Sequence, residues 1–168
     1  SINDTLVSFN VTFTNGEKYV AIASGVLAPA SFAVNPDGRP TGFTLLLQDQ
    51  MRESALNPTD VDFRVLHGST DAPTVDVVAV GAGVIVDDAA YTDITGYISV
   101  PANNYTLQIT PGNNNTVIVA SFTAPLSALG GGSATVFASG FLTPAANQNG
   151  APFGLFAALP DGQVVAFP

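Results

Sequence analysis

Short apolar stretches separated by turn-forming residues run along most of the chain. Between positions 105 and 109, Tyr105, Leu107 and Ile109 alternate with polar residues and therefore share one face of an extended segment. Residues 75–80 are apolar at most positions on both faces, which indicates burial on both sides or contact with a partner. The stretches are rich in Val, Ile, Phe, Tyr and Thr, and their spacing of about 8 to 12 residues is typical of β-sandwiches. We predict an all-β chain with strands at residues 6–13, 19–27, 43–48, 61–66, 75–80, 83–86, 97–100, 105–109, 117–122, 134–141, 153–159 and 163–167.

Turn signals divide these strands. Asn-Gly at 15–16 and Asp-Gly at 161–162 predict tight hairpin turns, because Asn, Asp and Gly tolerate positive φ. The only helix predicted is one short turn within residues 49–55, which ends before Asn57–Pro58 because proline disfavours the α conformation in the preceding residue. This stretch is the most charged part of the chain, so residues 51–60 are predicted to be a connector.

An internal repeat sets the domain organisation. Residues 23–29, Ala-Ser-Gly-Val-Leu-Ala-Pro, recur 115 residues later as Ala-Ser-Gly-Phe-Leu-Thr-Pro. Only the second copy is preceded by a further segment, residues 61–115. We call this segment the front half of a repeat, and the rest of the repeat, residues 116–168, the back half. The sequence therefore predicts one complete repeat at residues 61–168 and the back half of a preceding repeat at residues 1–50. Farther along, at an offset near 112, Asn35, Gly38, Pro40, Gly42 and Phe43 recur as Asn147, Gly150, Pro152, Gly154 and Phe153 or Leu155.

The half repeat needs a partner for its apolar surface. Three strands of a sandwich cannot cover their own apolar face, and an isolated fragment of that size is marginally stable. The cover is either the complete repeat of the same chain or a strand from a neighbouring subunit, added through backbone hydrogen bonds at a sheet edge. Both ends of the chain are apolar and either is a candidate donor strand, unless both are ordinary edge strands folded back in the monomer. The candidate assembly residues are Leu6, Phe9, Val11, Phe13, Val164, Val165 and Phe167.

Composition excludes several classes of function. The 168 residues include 13 acidic and 4 basic side chains, for a net charge of −9. The four basic residues are dispersed, whereas a nucleic-acid surface needs clustered cations. No apolar run approaches the roughly 18 residues of a membrane-spanning helix. The absence of cysteine excludes disulfides, thiolate catalysis and thiolate metal sites.

Residues 63–77, Phe-Arg-Val-Leu-His-Gly-Ser-Thr-Asp-Ala-Pro-Thr-Val-Asp-Val, carry a recognisable motif. This segment resembles the opening of a secreted bacterial family, the domains of unknown function numbered 4397, with the pattern Arg-Val-x-His-Ala-Ser-x-Asp-Ala-Pro-x-Val-Asp-Val. Residues 90–102 and 105–111 are similar to later blocks of the same family, and Gly68 departs from its usual Ala. The resemblance implies tandem immunoglobulin-like β-sandwich repeats, a secreted or cell-surface location and no established catalysis.

The same motif holds the residue types of a nucleophilic site. His67, the only histidine, lies near Ser69 and Asp71, but closeness in sequence is no evidence of triad geometry. A hydrogen-bonded structural histidine is the favoured interpretation, and Asp76 is expected to pair with Arg64 or His67. We therefore predict no enzyme activity.

Calcium is the metal most compatible with a chain rich in Asp and free of Cys. The best cluster is Asp87, Asp88 and Asp93, although it lacks the spacing of a dedicated calcium loop, and solvated acidic turns are the alternative. No other cofactor is expected.

Four N-glycosylation sequons begin at Asn3, Asn10, Asn104 and Asn114. Unmodified asparagine is the alternative at each position. Glycans at these sites would agree with an extracellular location.

The sequence thus favours a non-enzymatic extracellular structural or adhesive module. Its expected partner is itself, in a homo-oligomer, filament or other polymer built by edge-strand addition. The alternative is a module that binds carbohydrate or another surface ligand near Asp87–Asp93, with Tyr91 or Tyr97 stacking on the sugar.

Overall fold

A computed structural model describes Thr5 and residues 7–168 of the chain. Within that part the backbone forms eleven strands and three short 3₁₀ helices, at Pro29–Ser31, Leu126–Leu129 and Pro144–Ala146. None of its helices is long and apolar enough to cross a membrane. The strands are β1 (Val20–Ser24), β2 (Thr44–Gln48), β3 (Asp60–His67), β4 (Val75–Ala79), β5 (Gly83–Ala89), β6 (Ile98–Pro101), β7 (Asn104–Pro111), β8 (Ala120–Pro125), β9 (Ser133–Ser139), β10 (Gly154–Ala158) and β11 (Val164–Phe167).

Two sheets build the complete repeat. One has the order β11-β10-β9-β3-β6, and the other has the order β5-β4-β7-β8. Every neighbouring pair is antiparallel except β3 and β9, which run parallel. The prediction of an all-β sandwich is confirmed. Immunoglobulin-like connectivity is a narrower prediction that these pairings leave open.

The core lies between the two sheets. Val61 and Phe63 of β3 face Val77 and Ile109 of the opposite sheet, and all four are 4% exposed or less. This is the alternation that a sandwich interior requires, with one residue in two pointing inward. Strand β3 is also buried on its outer face, because the connector and the half repeat cover it.

The connector lies against β3 through polar contacts. The Asp62 side chain, which is fully buried, accepts hydrogen bonds from Arg52 Nη1 at 2.6 Å and from the Leu56 N–H at 3.1 Å, and also from the Ser99 hydroxyl. Burial alone raises the pKa of the Asp62 carboxyl, but these hydrogen bonds and the charge of Arg52 outweigh it, and the pKa is lowered.

The prediction of a short helix within residues 49–55 is wrong, because the structure has no helix there. Arg64 Nη2 donates to the carbonyl oxygens of Asp49 and Gln50 at 3.1 and 3.0 Å, and the Met51 N–H donates to the Lys18 carbonyl. The backbone groups that a helix would pair locally are therefore engaged by residues distant in sequence.

The pairing predicted for Asp76 is also wrong. Asp76 Oδ1 accepts the Asp88 N–H at 2.7 Å, whereas the Arg64 guanidinium lies over the Tyr97 ring at 4.4 Å. His67 bonds elsewhere, as described below. A tight bend at Asp88, which has φ of +52°, brings its N–H to Asp76.

In the half repeat, β1 and β2 form a separate antiparallel two-stranded sheet. The strand predicted at residues 6–13 is not observed over its described part, residues 7–13, which forms no ladder; Leu6 lies outside the described residues. No described segment pairs with residues 7–13, and a strand exists only where its backbone groups pair with a neighbour.

Candidate assembly site

The internal repeat is preserved in the strand pairing. In the half repeat Ala23 lies opposite Leu45, and in the complete repeat Ala138 lies opposite Leu155. All five paired positions of β1–β2 have a counterpart in β9–β10 at the same register, with offsets of 115 residues in the first strand and 110 in the second. The predicted offset near 112 therefore does not extend to the second strand, and Phe43 corresponds to Phe153.

Both copies place a glycine with a positive φ directly after the first strand. Gly25 has φ of +86° and Gly140 has φ of +83°. A Cβ on Gly25 would collide with the carbonyl oxygen of Gly42, and a Cβ on Gly140 would collide with that of Pro152. The two back halves therefore share a side-chain-free crossing of two backbone segments.

The inner face of β1 lacks the cover that β9 has. In the complete repeat Val136 and Ala138 point into the core and are 3% and 7% exposed. Their counterparts in the half repeat, Ala21 and Ala23, are both exposed. The difference arises because three of the four strands of the sheet that covers Val136 and Ala138, namely β4, β5 and β7, belong to the front half of the repeat, and residues 7–48 contain no counterpart of them.

One aromatic contact of residues 7–13 resembles a contact made by β8. Phe9 contacts Phe43 with ring centroids 6.0 Å apart and planes at 52°, and Phe122 of β8 contacts Phe153 at 6.0 Å and 48°. In the complete repeat β8 pairs with β7 of the front half. Residues 7–48 contain no counterpart of β7, and residues 7–13 form no ladder.

Several predicted assembly residues are exposed on this segment. Phe9, Val11 and Phe13 are 38%, 42% and 61% exposed, and Phe13 packs edge-on against the Tyr19 ring at 5.0 Å. Alternating apolar side chains at this level of exposure form an unusual surface for a folded monomer.

The other predicted donor, β11, is folded back within the chain. It pairs with β10, Phe167 is buried, and the Pro168 carbonyl oxygen accepts the Thr123 N–H beside it at 2.6 Å. Val165 is half-buried and Val164 is exposed at the outer edge of the sheet. The C-terminal strand therefore has the ordinary edge position that was the alternative in the sequence analysis.

The half repeat is attached to the complete repeat at one end of the sandwich. Buried Asn35 donates through Nδ2 to the carbonyl oxygens of Thr70 and Ala72 at 3.0 and 3.1 Å. Arg39 forms a two-point ion pair with Asp93, with N–O distances of 2.8 and 3.2 Å. The junction combines these directional polar bonds with the stacked rings of Phe32 and Phe141, 5.7 Å apart, and it leaves Ala21 and Ala23 on the inner face of β1 exposed.

The structure does not assemble a catalytic triad from His67, Ser69 and Asp71. His67 Nε2 donates to the Pro73 carbonyl oxygen at 3.0 Å, and Ser69 Oγ donates to the Gly140 carbonyl oxygen at 2.7 Å. Among the described residues no hydrogen bond joins His67 to Ser69 or to Asp71. His67 is 2% exposed, and its burial lowers the pKa of the imidazole from the ordinary value of 6.5.

Asp71 instead links the front half to the back half of the complete repeat. Its carboxylate accepts the N–H groups of Leu142 and Thr143, both at 2.9 Å, and Asn147 Nδ2 at 2.8 Å. Asn147 is fully buried. The sequence analysis missed this role because the donors lie more than 70 positions away; the only local signal was Asp-Ala-Pro at the end of the motif.

The acidic cluster differs from the predicted calcium set in one residue. Asp76, Asp87 and Asp88 each offer an oxygen, and these atoms lie within 4.8 Å of one another. Asp93, the third predicted ligand, is bound by Arg39. The cluster therefore keeps two of the three predicted residues and adds a buried one.

The aromatic residues proposed for sugar stacking are covered. Tyr91 is fully buried and its hydroxyl contacts Ser24 Oγ at 3.1 Å, while the Tyr97 ring lies 4.4 Å from the guanidinium carbons of both Arg52 and Arg64. Neither ring face is free for a sugar. The sequon asparagines Asn10, Asn104 and Asn114 are exposed, and Asn3 lies outside the described residues.

The comparison with protein families decides the classification. The sequence model described as "Domain of unknown function (DUF4397)" matches residues 61–152, more than half of the chain. The chain belongs to the DUF4397 family. No curated protein and no solved structure matches it. The DUF4397 match begins at β3 and extends past the loop that holds Asn147, so it covers both groups that Asp71 joins.

Proposed function

We propose that this DUF4397 chain is a non-enzymatic structural or adhesive module of the cell exterior. It assembles with further units of the same kind into a filament or other polymer. Assembly adds strands to the half repeat through backbone pairing at the open edge of β1 and buries its exposed inner face.

The observation that carries this proposal is the exposure of Ala21 and Ala23. Their counterparts Val136 and Ala138 are core residues, so the half repeat presents a core face to solvent. Burial of apolar surface contributes about 25 cal/mol per Å². A standard interface of about 1,600 Å² therefore supplies ample free energy after the ordering costs are subtracted, provided that the strands are already formed.

The polar junction supports a structural role. Asn35 and the Arg39–Asp93 pair hold the half repeat on the complete repeat by directional bonds. A unit that is held in this way transmits its orientation to the next one, as a polymer subunit must. His67 and Ser69 donate to backbone carbonyl oxygens, and Asp71 accepts backbone N–H groups. These bonds stabilise the fold, whereas a hydrolase needs its histidine within hydrogen-bond reach of its serine.

Sedimentation velocity over a range of protein concentrations tests the proposal. We expect the chain to form oligomers whose size grows with concentration. The variant Val11→Asp places a charge on the exposed segment and should raise the concentration needed for assembly at least tenfold. Val34→Asp is the matched control, because Val34 is 86% exposed and lies outside both residues 7–13 and β1. A chain that stays monomeric at every concentration, with slow hydrogen exchange in residues 7–23, would refute the proposal.

A further inference from the structure

We propose that the half repeat carries a defined acceptor site for a strand that resembles β3 and is followed four residues later by an aspartate. The site consists of the free edge of β1 and the N–H groups of Leu27 and Ala28. This inference rests on the proposed function, because it names the partner that completes the half repeat.

The complete repeat contains the same site with its occupant in place. Strand β3 runs parallel to β9, with Val65 opposite Val136 and His67 opposite Ala138. The Gly68 N–H donates to the Ala138 carbonyl oxygen at 3.0 Å, so the backbone of Ala138 points toward β3.

The counterpart of this edge is unpaired in the half repeat. Strand β1 corresponds to β9 but has a neighbour on one side only, β2. Because Ala23 corresponds to Ala138, its N–H and carbonyl point to the unpaired side, as do those of Ala21 two residues earlier. Within the described residues, none of these N–H and carbonyl groups of Ala21 and Ala23 pairs with another strand.

The aspartate position has a counterpart as well. In the complete repeat the Asp71 carboxylate is held by the N–H groups of Leu142 and Thr143 and by Asn147 Nδ2, whose counterpart Asn35 donates instead to the carbonyl groups of Thr70 and Ala72. The corresponding donors are the N–H groups of Leu27 and Ala28, which follow a glycine in the same conformation. In the part of the chain that the structure describes, neither N–H donates a hydrogen bond, and Leu27 is 67% exposed. Two unpaired donors complement a carboxylate, and a charged acceptor makes the stronger hydrogen bond.

One segment reaches both parts of the site. In the occupied copy Asp71 is the fourth residue after His67, the end of β3. A folded second copy cannot donate its own β3, because β9 and β6 already occupy both edges of that strand. The occupant is therefore a strand equivalent to β3, from the front half of a DUF4397 unit. In that unit the strand is not paired with the unit's own back half.

A peptide with the sequence of residues 60–73 of this chain is the probe. We expect it to bind the full chain saturably and to slow amide hydrogen exchange at Ala21, Ala23, Leu27 and Ala28, measured residue by residue by NMR. The same peptide with Asp71→Asn should bind about tenfold more weakly, since an amide replaces the carboxylate, and should no longer protect Leu27 and Ala28. A scrambled peptide should not bind.

The chain variant Ala23→Pro provides a second test. Proline removes an N–H that faces the free edge and leaves the pairing with β2 in place, so the variant should fold and lose peptide binding. If the wild-type peptide does not bind, or binds without protecting these amides, the acceptor site is refuted while concentration-dependent assembly still stands. Peptide binding with the expected protection in a chain that never assembles supports the site and refutes the proposed function.

Discussion

Replacement of Asp71 by alanine measures how strongly the two halves of the complete repeat are held together. The carboxylate accepts two backbone N–H groups at 2.9 Å and the amide of fully buried Asn147 at 2.8 Å. Hydrogen bonds to charged groups contribute about 1.5 to 3 kcal/mol each, and an unpaired buried donor costs about 1 to 3 kcal/mol. Asp71 is itself half-buried, so solvent reduces these values, and we take about 1 kcal/mol for each donor.

The sum predicts that Asp71→Ala lowers the free energy of unfolding by about 3 kcal/mol. For a chain of this length that loss corresponds to a decrease in Tm of about 6 to 12 °C. Urea unfolding followed by far-ultraviolet circular dichroism gives the free energy, and an unchanged slope shows that the same surface unfolds in both proteins.

Asp87→Ala is the matched control for this measurement. Asp87 is exposed, and its replacement should change the free energy of unfolding by less than about 0.5 kcal/mol. If Asp71→Ala and Asp87→Ala are equally stable, the carboxylate does not join the two halves, and the acceptor site inferred for the half repeat loses its precedent.

Two further predictions concern the histidine and the junction. Because the folded-state pKa of His67 lies below its ordinary value of 6.5, the unfolded chain takes up the proton first, and stability should fall as the pH is lowered through about 6.5. His67→Gln should remove this slope in urea titrations at several pH values, since the chain has no other histidine; a slope that persists would contradict the assignment. Asn35→Ala removes the bonds to Thr70 and Ala72, so amides of residues 20–48 should exchange at least tenfold faster while those of residues 61–167 keep their protection. Equal acceleration in both ranges would show that Asn35 stabilises the whole chain and not the junction.

Much of the fold follows from local properties of the sequence. Alternating apolar residues predict β7, and Asp-Gly at 161–162 predicts the turn between β10 and β11, where the Gly162 N–H donates to the Leu159 carbonyl at 3.0 Å. Gly25 and Gly140, found as equivalent positions of a repeat, have the same positive φ. These features depend on steric preferences within a few residues, which a sequence displays directly.

The predictions that were wrong depended on distant residues. The helix predicted within 49–55 does not form because Arg64 takes the carbonyl groups of Asp49 and Gln50. Asp93 was predicted to join the acidic cluster and is held by Arg39 instead. In each case a long side chain from another part of the chain determined which group was paired.

The sequence by itself determined that this chain is built of strands and that residues 23–29 recur 115 residues later. Only the tertiary structure decided that Asp71 joins the two halves of the complete repeat, and that residues 7–13 form no strand although their sequence predicts one. The physical reason is that alternation and turn preference are properties of a segment, whereas a ladder or a bound carboxylate exists only when a second segment provides the matching groups.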